Sequence, residues 1–180
     1  MLLNLTPHPD TPTDAVVAVV VYVSRVQPTR LLLHYGMEGD ISRLVVPSWA
    51  GLRRADDLWK STCFEVFIRS DRGGGYHEFN LSPSGLWAAY GFDGYRQGMT
   101  ADAGFELRDL KRVVEAERIE LIATLDLEQV GLSATEPWEL GFSAVVEETS
   151  GSKSYWARVH PSDKPDFHHP DSFAFTLEPA

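Results

Sequence analysis

The sequence predicts an all-β fold, specifically a single-domain antiparallel β-sandwich of the jelly-roll or immunoglobulin-like kind. Many short runs are rich in β-branched and aromatic residues, and Gly, Pro, Asp or Ser residues separate them. Hardly any stretch has helical periodicity, and no internal repeat divides the chain. A length of 180 residues with 43% hydrophobic content is sufficient for one core, so we expect one domain over residues 1–180 without a linker.

Three strands are predicted in the N-terminal third, after a start punctuated by prolines. Residues 15–26 are dense in valine, and an apolar run of this length is typical of a strand buried on both faces. Residues 30–36 and 42–47 are shorter predicted strands, and Pro47 ends the pairing. Residues 48–60 then form a connection with two tryptophans and space for one short helical turn.

The centre of the chain predicts a three-stranded meander. Its strands are Cys63–Arg69, Tyr76–Leu81 and residues 85–92, because each run is rich in aromatic and β-branched residues. The turns between them are residues 71–75, which are rich in glycine, and residues 82–85, where Pro and Gly favour a reversal.

Alternation along these strands places polar side chains beside aromatic ones. Glu65 and Phe67 share one face of the first strand, and Tyr76, Glu78 and Asn80 share one face of the second. Flat apolar rings beside fixed hydrogen-bonding groups are typical of a surface that binds a sugar or another polar ligand.

The C-terminal half predicts a glycine-rich loop at residues 93–104 and then a series of strands. The predicted strands are residues 105–110, 112–116, 118–125, Trp138–Glu147, 155–159 and 172–177. Only residues 127–132 favour a helical turn in this half.

Charge and cysteine content exclude several classes of function. Sixteen basic against 26 acidic residues give a net charge of −10, so we expect neither nucleic acid nor an anionic membrane surface as a partner. Cys63 is the single cysteine, which excludes an intrachain disulfide and a multi-cysteine zinc site. The start of the chain lacks the pattern of a signal peptide, and the longest apolar segment, residues 15–23, is too short to span a membrane. We therefore expect a cytoplasmic location.

A ligand site is predicted from residue types that suit sugar recognition. Aromatic rings stack on the apolar faces of sugars, and carboxylate, amide or guanidinium groups bind the hydroxyls. The candidate residues are Trp59, Glu65, Glu78, Asn80, Tyr95 and Arg96. An alternative is that Trp59 belongs to the core and that Glu65 pairs with an arginine at a sheet edge.

The segment 160–173, HPSDKPDFHHPDSF, is the most unusual loop. Histidine and aspartate are common ligands of divalent ions, so His160, His168 and Asp171 are weak metal candidates, whereas a structural loop is the simpler interpretation. His168 and His169 are adjacent, and in an extended loop they point in opposite directions, so at most one of them is expected to face a common site.

Three stretches carry a family resemblance, namely WKSTCFEVFI, YHEFNLSPSGLWAAYGFDGYRQGM and YWARVHPSDKPDFHHPDSF. In these stretches the chain resembles DOMON-like proteins related to family 9 carbohydrate-binding modules. The resemblance implies a jelly-roll-like sandwich that binds a sugar-chain end between two aromatic rings without turning it over.

The resemblance also implies roles for particular residues. The W-x5-E spacing of such modules matches Trp59 and Glu65, as a stacking ring and an acceptor for sugar hydroxyls. A second stacking ring lies near the terminal strand in those modules, and here that region offers Phe167 or Phe173 and no tryptophan. The expected function is therefore a non-catalytic domain that binds a small-molecule carbohydrate.

Two alternatives remain open. The DOMON branch includes haem binders, and Met37, Met99, His77 and His168 are candidate axial ligands of haem. A glycoside hydrolase would use Glu65 and Glu78 as its carboxylate pair. The sequence leaves the oligomeric state open.

Overall fold

The computed structural model describes residues 1–70 and 75–179, and its regular structure consists of β-strands and short 3-10 helices. Thirteen strands are present, and this described part of the chain contains no α-helix, so the prediction of an all-β fold is confirmed. None of its helices is long and apolar enough to cross a bilayer. The predicted turn at residues 71–75 lies, except for Gly75, outside the described residues.

The first seven strands lie N-terminal to residue 93. They are β1 Leu2–Pro7, β2 Val16–Gln27, β3 Arg30–Gly39, β4 Arg53–Arg54, β5 Cys63–Arg69, β6 Tyr76–Leu81 and β7 Leu86–Phe92. The remaining strands are β8 Thr100–Ala101, β9 Leu110–Val114, β10 Arg118–Asp126, β11 Trp138–Glu147, β12 Lys153–Ala157 and β13 Phe175–Leu177. The 3-10 helices are Ile41–Arg43, Leu58–Lys60, Leu127–Val130 and Pro170–Ser172.

The strands form one sheet with the order β4-β7-β6-β5-β11-β12-β1-β2-β3-β10-β9, and β13 and β8 pair additionally with β11 and β7. The strand pairs are antiparallel except for the short parallel pair of β4 and β7. Strand β1 connects two halves, because residues 2–5 pair with β2 while Thr6 and Pro7 pair with β12. We call β2, β3, β9 and β10 the first half, and β4 to β8 with β11 to β13 the second half.

The sheet curls so that the two halves share one apolar core. Val21 and Leu33 of the first half and Phe64 of the second half belong to the same buried cluster. Tyr35 links the halves, since its Oη donates a hydrogen bond to the main-chain oxygen of Glu65 at 2.6 Å. The inner faces of the long strands are buried in this core, and their outer faces remain available for other contacts.

The two halves differ in how their outer faces are covered. Strands β3 and β10 alternate between buried and partly exposed residues, as expected for one wet face. Strand β5 is buried on both faces, and β11 almost entirely so. The outer face of the second half carries a separate buried cluster of Phe67, Tyr76, Ala88, Tyr90, Phe92 and Phe173. Connecting segments pack over this cluster through Leu58 and Phe167.

Two predicted strands are wrong. Residues 42–47 do not form a strand, because Asp40 Oδ1 accepts a hydrogen bond from the Ser42 amide at 3.2 Å and caps the 3-10 helix Ile41–Arg43. Residues 105–110 are irregular as far as Leu110. The Phe105 ring instead packs 4.9 Å from that of Phe79 and helps to close the core.

Other predicted strands are present, but their burial or their bounds differ from the prediction. Strand β2 alternates along its length, so the expected burial on both faces of residues 15–26 is wrong. The C-terminal strands predicted at 112–116, 155–159 and 172–177 begin at other residues. Strand β1 was not predicted, since its short apolar run is followed by three prolines.

Candidate functional site

A cavity of about 580 Å³ opens on the outer face of the second half. Its floor consists of side chains from strands β5, β6, β7, β11 and β12, namely Glu65, Glu78, Tyr90, Phe92, Val145 and Tyr155. Its walls and rim come from three connecting segments and comprise Asp56, Asp57, Trp59, Arg96, Met99, Pro165, Phe167 and His168. The cavity therefore combines a rigid strand floor with a rim built from loops.

A larger depression of about 960 Å³ lies elsewhere, beside Asp40 and Glu117. Its lining is mostly charged or small and contains no aromatic ring. Ligand sites usually combine apolar surface with a few convergent polar groups, so we regard the cavity on the second half as the candidate site.

Strand alternation and register place both glutamates in this cavity. Phe64 and Val66 point into the core, so Glu65 between them must point to the outer face. Glu65 pairs with Asn80 across β5 and β6, and Glu78 of β6 pairs with Tyr90 of β7. The two carboxyl groups are consequently diagonal neighbours on one face, where side chains are close enough to interact.

Each carboxyl group is buried and bound to one neutral donor. Glu65 is 2% exposed and Glu78 is 5% exposed. Ser143 Oγ donates to Glu65 Oε2 at 3.0 Å, and Asn80 Nδ2 donates to Glu78 Oε1 at 2.7 Å. Burial raises the pKa of both groups, and the neighbouring Glu78 raises that of Glu65 further. The pair therefore favours a protonated state where an exposed glutamate would be fully ionised.

His168 forms the wall beside Glu78 and is held as a neutral imidazole. Tyr76 Oη lies 2.7 Å from His168 Nδ1 and also accepts a hydrogen bond from the Arg96 amide at 3.3 Å. Because the Tyr76 hydroxyl accepts from Arg96, its own proton is free to be donated to His168 Nδ1. The imidazole then carries its proton on Nε2, which lies 3.8 Å from Glu78 Oε2. Burial, assisted by the charge of Arg96, lowers the pKa of His168 to about 4, so the contact with Glu78 is not a strong ion pair.

Arg96 and Asp166 join two of the loops that form the rim. Arg96 Nη2 donates to Asp166 Oδ1 at 2.8 Å, and the Tyr95 hydroxyl donates to the other carboxylate oxygen. Asp166 also accepts a hydrogen bond from the amide of His168 at 3.2 Å. The ion pair thus holds the His168 loop in place over the cavity.

Two residues of the rim have an unusual backbone conformation. Asp57 has a φ of 63° and Arg96 a φ of 53°, and among the described residues no other non-glycine residue has a positive φ. Such conformations cost free energy and concentrate at functional sites. Their position on one cavity favours a functional role for that cavity.

Trp59 stands at the rim with much of its ring open to solvent. It is 47% exposed, and it lies in the 3-10 helix Leu58–Lys60 next to Asp57, which forms an ion pair with Lys60 at 2.8 Å. Lys60 Nζ lies 5.4 Å from the centroid of the ring, and no aromatic ring among the described residues packs on it, so its exposed part presents an apolar surface to a ligand.

Six of the ten predicted site residues line this one cavity. They are Trp59, Glu65, Glu78, Arg96, Phe167 and His168. Asn80 is fully buried behind the floor and binds Glu78, and Tyr95 supports Asp166 from outside. His169 caps the 3-10 helix Pro170–Ser172, and Phe173 is buried in the aromatic cluster, so neither residue lines the cavity.

The structure separates the three metal candidates, and it brings together two of the four haem candidates. His160 binds the main-chain oxygen of Thr6 at 2.8 Å, and within residues 1–70 and 75–179 no three His, Cys, Asp or Glu side chains are grouped to hold a metal ion. Asp171 is exposed beside His169. Of the haem candidates, Met99 and His168 line the cavity. Met37 is fully buried in the core, and His77 binds Asp102 at 2.8 Å.

Several lining residues were not predicted from the sequence. Tyr90 and Phe92 follow from the same alternation that identified Glu78, once β7 is paired with β6. Asp56 and Tyr155 depend on tertiary packing, since Asp56 lies in a connecting segment whose position only the folded chain defines.

Comparison with known proteins supports the fold. No protein-family model matches the chain, and no curated protein matches it. A crystal structure from Bacteroides uniformis, described as that of a "putative carbohydrate-binding protein", is similar with a TM-score of 0.64 and 15% sequence identity. The match covers 94% of this chain and 82% of the other. At this level of identity the similarity shows a shared fold.

Proposed function

We propose that this chain is a non-catalytic domain that binds a carbohydrate in the cavity of its second half. The observation that carries the proposal is the exposed ring of Trp59 above a floor of buried carboxyl groups within one cavity. A sugar ring stacked on Trp59 would direct hydroxyl groups toward Glu65 and Glu78, which accept hydrogen bonds when ionised and donate them when protonated.

We further propose that the fold is a sandwich of the DOMON-like type, related to family 9 carbohydrate-binding modules. The shared core of the two halves supports a sandwich, and the similar structure supports a sugar-binding relative. The spacing of Trp59 and Glu65 matches the family pattern, and both residues line the cavity. Phe167 also lines the cavity and would be the second ring against the sugar.

The test compares two tryptophans that are equally exposed. A glycan array followed by isothermal titration is performed with the wild type, Trp59→Ala and Trp49→Ala. Trp49 is also 47% exposed, but it lies beside Arg112 away from the cavity. We expect Trp59→Ala to weaken binding by about fivefold to thirtyfold, because a stacking contact contributes roughly 1–2 kcal/mol, and Trp49→Ala to leave it unchanged.

Two results would contradict the proposal. One is an absence of binding across mono- and oligosaccharides, and the other is an equal loss of affinity in both variants. A glycoside activity screen examines the competing hydrolase, for which Glu65→Gln would abolish turnover. A haem titration examines the haem alternative, for which His168→Ala would remove a shifted Soret band.

A further inference from the structure

We infer that the ligand of this cavity carries a protonated amino group, as in an amino sugar, and that this group binds between Glu65 and Glu78. The inference rests on the proposed carbohydrate function and specifies the class of sugar. It follows from which charged groups of the cavity already have partners and which do not.

Most charged side chains that line the cavity are already compensated. Asp56 binds Arg54 at 2.7 Å, and Asp57 binds Lys60 at 2.8 Å. Arg96 binds Asp166 at 2.8 Å. In each pair the two charges balance each other, so none of these pairs requires a charged ligand.

Within residues 1–70 and 75–179, no lysine or arginine forms an ion pair with Glu65 or Glu78. Their hydrogen-bond donors are the neutral groups of Ser143 and Asn80, and the imidazole 3.8 Å from Glu78 is also neutral. The charge of Arg96 lowers the pKa of Glu78, but its guanidinium is paired with Asp166. Buried carboxylates are normally paired with a cation, so without one these two groups favour the protonated form.

One carboxyl oxygen remains open to a ligand. Glu65 Oε1 makes no hydrogen bond to any part of the chain that the structure describes. In that same part, every completely buried side-chain polar atom has a hydrogen-bond partner, so Oε1 must face the cavity. An oxygen on a residue that is 2% exposed is thus directed into the cavity without a partner.

An ammonium group satisfies this arrangement better than a hydroxyl group. It has three donors, enough for Glu65 Oε1 and for Glu78, and its charge compensates the carboxylates that its approach ionises. A hydroxyl group has one donor and no charge. An acidic sugar would be repelled by the glutamates, and the Arg96 guanidinium that lines the cavity is already bound to Asp166.

Three disaccharides with the same β-1,4-linked backbone test the inference. Chitobiose has amino groups at carbon 2, diacetylchitobiose has acetamido groups there, and cellobiose has hydroxyl groups. Calorimetric titrations are performed at neutral pH in the presence of EDTA, so that a divalent cation cannot replace the amine. We expect chitobiose to bind at least about tenfold more tightly than the other two, as an additional charge-assisted hydrogen bond predicts.

Variants then locate the amino group. We expect Glu65→Gln and Glu78→Gln each to weaken chitobiose binding about tenfold more than they weaken cellobiose binding, because both sugars contact these side chains but only the amine loses a charged partner. The matched control is Glu120→Gln on the first half, where Glu120 lies near Arg118 and His34. Thermal unfolding verifies that each variant is folded.

The outcomes separate the two proposals. If cellobiose or diacetylchitobiose binds as tightly as chitobiose, the amino-group inference is wrong while the carbohydrate function stands. If no disaccharide binds, both fail. If the advantage of chitobiose persists in both glutamine variants, the amine binds elsewhere and the inference is overturned.

Discussion

Both halves of the sheet consist mainly of antiparallel strands, yet they use their outer faces differently. In β10 every second residue is partly exposed, whereas β5 is buried on both faces up to its last residue. The inner faces of both halves contribute to the same core. The difference therefore lies in the loops of the second half, which cover its outer face and leave a cavity above two glutamates. Stability comes from the inner faces and ligand chemistry from the covered outer face.

The largest expected effect is a loss of stability, and it distinguishes a core residue of the second half from a residue at the rim of the cavity. Phe64→Ala removes a fully buried ring that packs 5.1 Å from Tyr35, so we expect a loss of about 3–5 kcal/mol in the free energy of unfolding. Trp59→Ala removes a rim residue and should cost less than about 0.5 kcal/mol. Urea denaturation measures both values. Similar losses would show that the rim contributes to stability as the core does.

The next effect concerns the dependence of stability on pH. The folded pKa of Glu65 and Glu78 lies above the usual glutamate value of 4.5, so between that pH and about 8 the folded protein binds more protons than the unfolded chain. The contribution of the pair to stability is therefore greatest at acidic pH and declines as the pH rises through this window. We expect the wild type to lose stability relative to the double variant Glu65→Gln/Glu78→Gln from about pH 5 to about pH 8, by about 1.4 kcal/mol for each pH unit in which one carboxyl is protonated only in the folded protein.

Denaturation of both proteins across this range measures the difference, and the double variant removes the background of all other titrating groups. Parallel pH profiles would mean that the two carboxyls titrate as exposed glutamates do.

A smaller effect of opposite sign is expected from His168. Its folded pKa of about 4 lies below the value of 6.5 for a free histidine, so the unfolded chain binds more protons between these values. The stabilising contribution is present above pH 6.5 and is lost as the pH falls through this window, by about 3 kcal/mol relative to His168→Gln. The NMR signal of the His168 ring should titrate with a midpoint near 4. A midpoint near 6.5 would show that the ring is open to water.

The smallest effect on stability is expected at the pair that joins the rim loops. The Arg96 side chain is 52% exposed and that of Asp166 is 13% exposed, so Asp166→Asn should cost about 1 kcal/mol or less. Asp14→Asn on the first half is the control, because Asp14 also forms an ion pair with an arginine, Arg43, at 2.6 Å, with a more exposed carboxylate. Ligand affinity should fall in Asp166→Asn and remain unchanged in Asp14→Asn. Equal affinities would show that the loop stays in place without its ion pair.

Much of the second half could be predicted from the sequence because local rules apply there. The bounds of β5, β6 and β11 follow from composition and turn residues, and alternation places Glu65 and Glu78 on one face. Local rules fail where tertiary contacts decide. Phe105 resembles a strand residue in the sequence, but it closes the core from an irregular segment.

The cavity itself required the structure. The spacing of Trp59 and Glu65 indicated a site, but the burial of Glu65 and the position of His168 depend on a loop that returns from more than 90 residues further along the chain. No periodicity encodes that contact. The strained backbone of Arg96 was also beyond sequence reasoning, since non-glycine residues rarely adopt that conformation.

Strand β1 has a consequence for how copies of this chain behave toward one another. It lies between β12 and β2, so its detachment would expose two unpaired strand edges at the same time. Either edge could accept the β1 segment of a second copy, which would produce strand-exchanged dimers under conditions that loosen β1. Since β1 pairs through only six residues, such exchange would require little unfolding of the rest of the sheet.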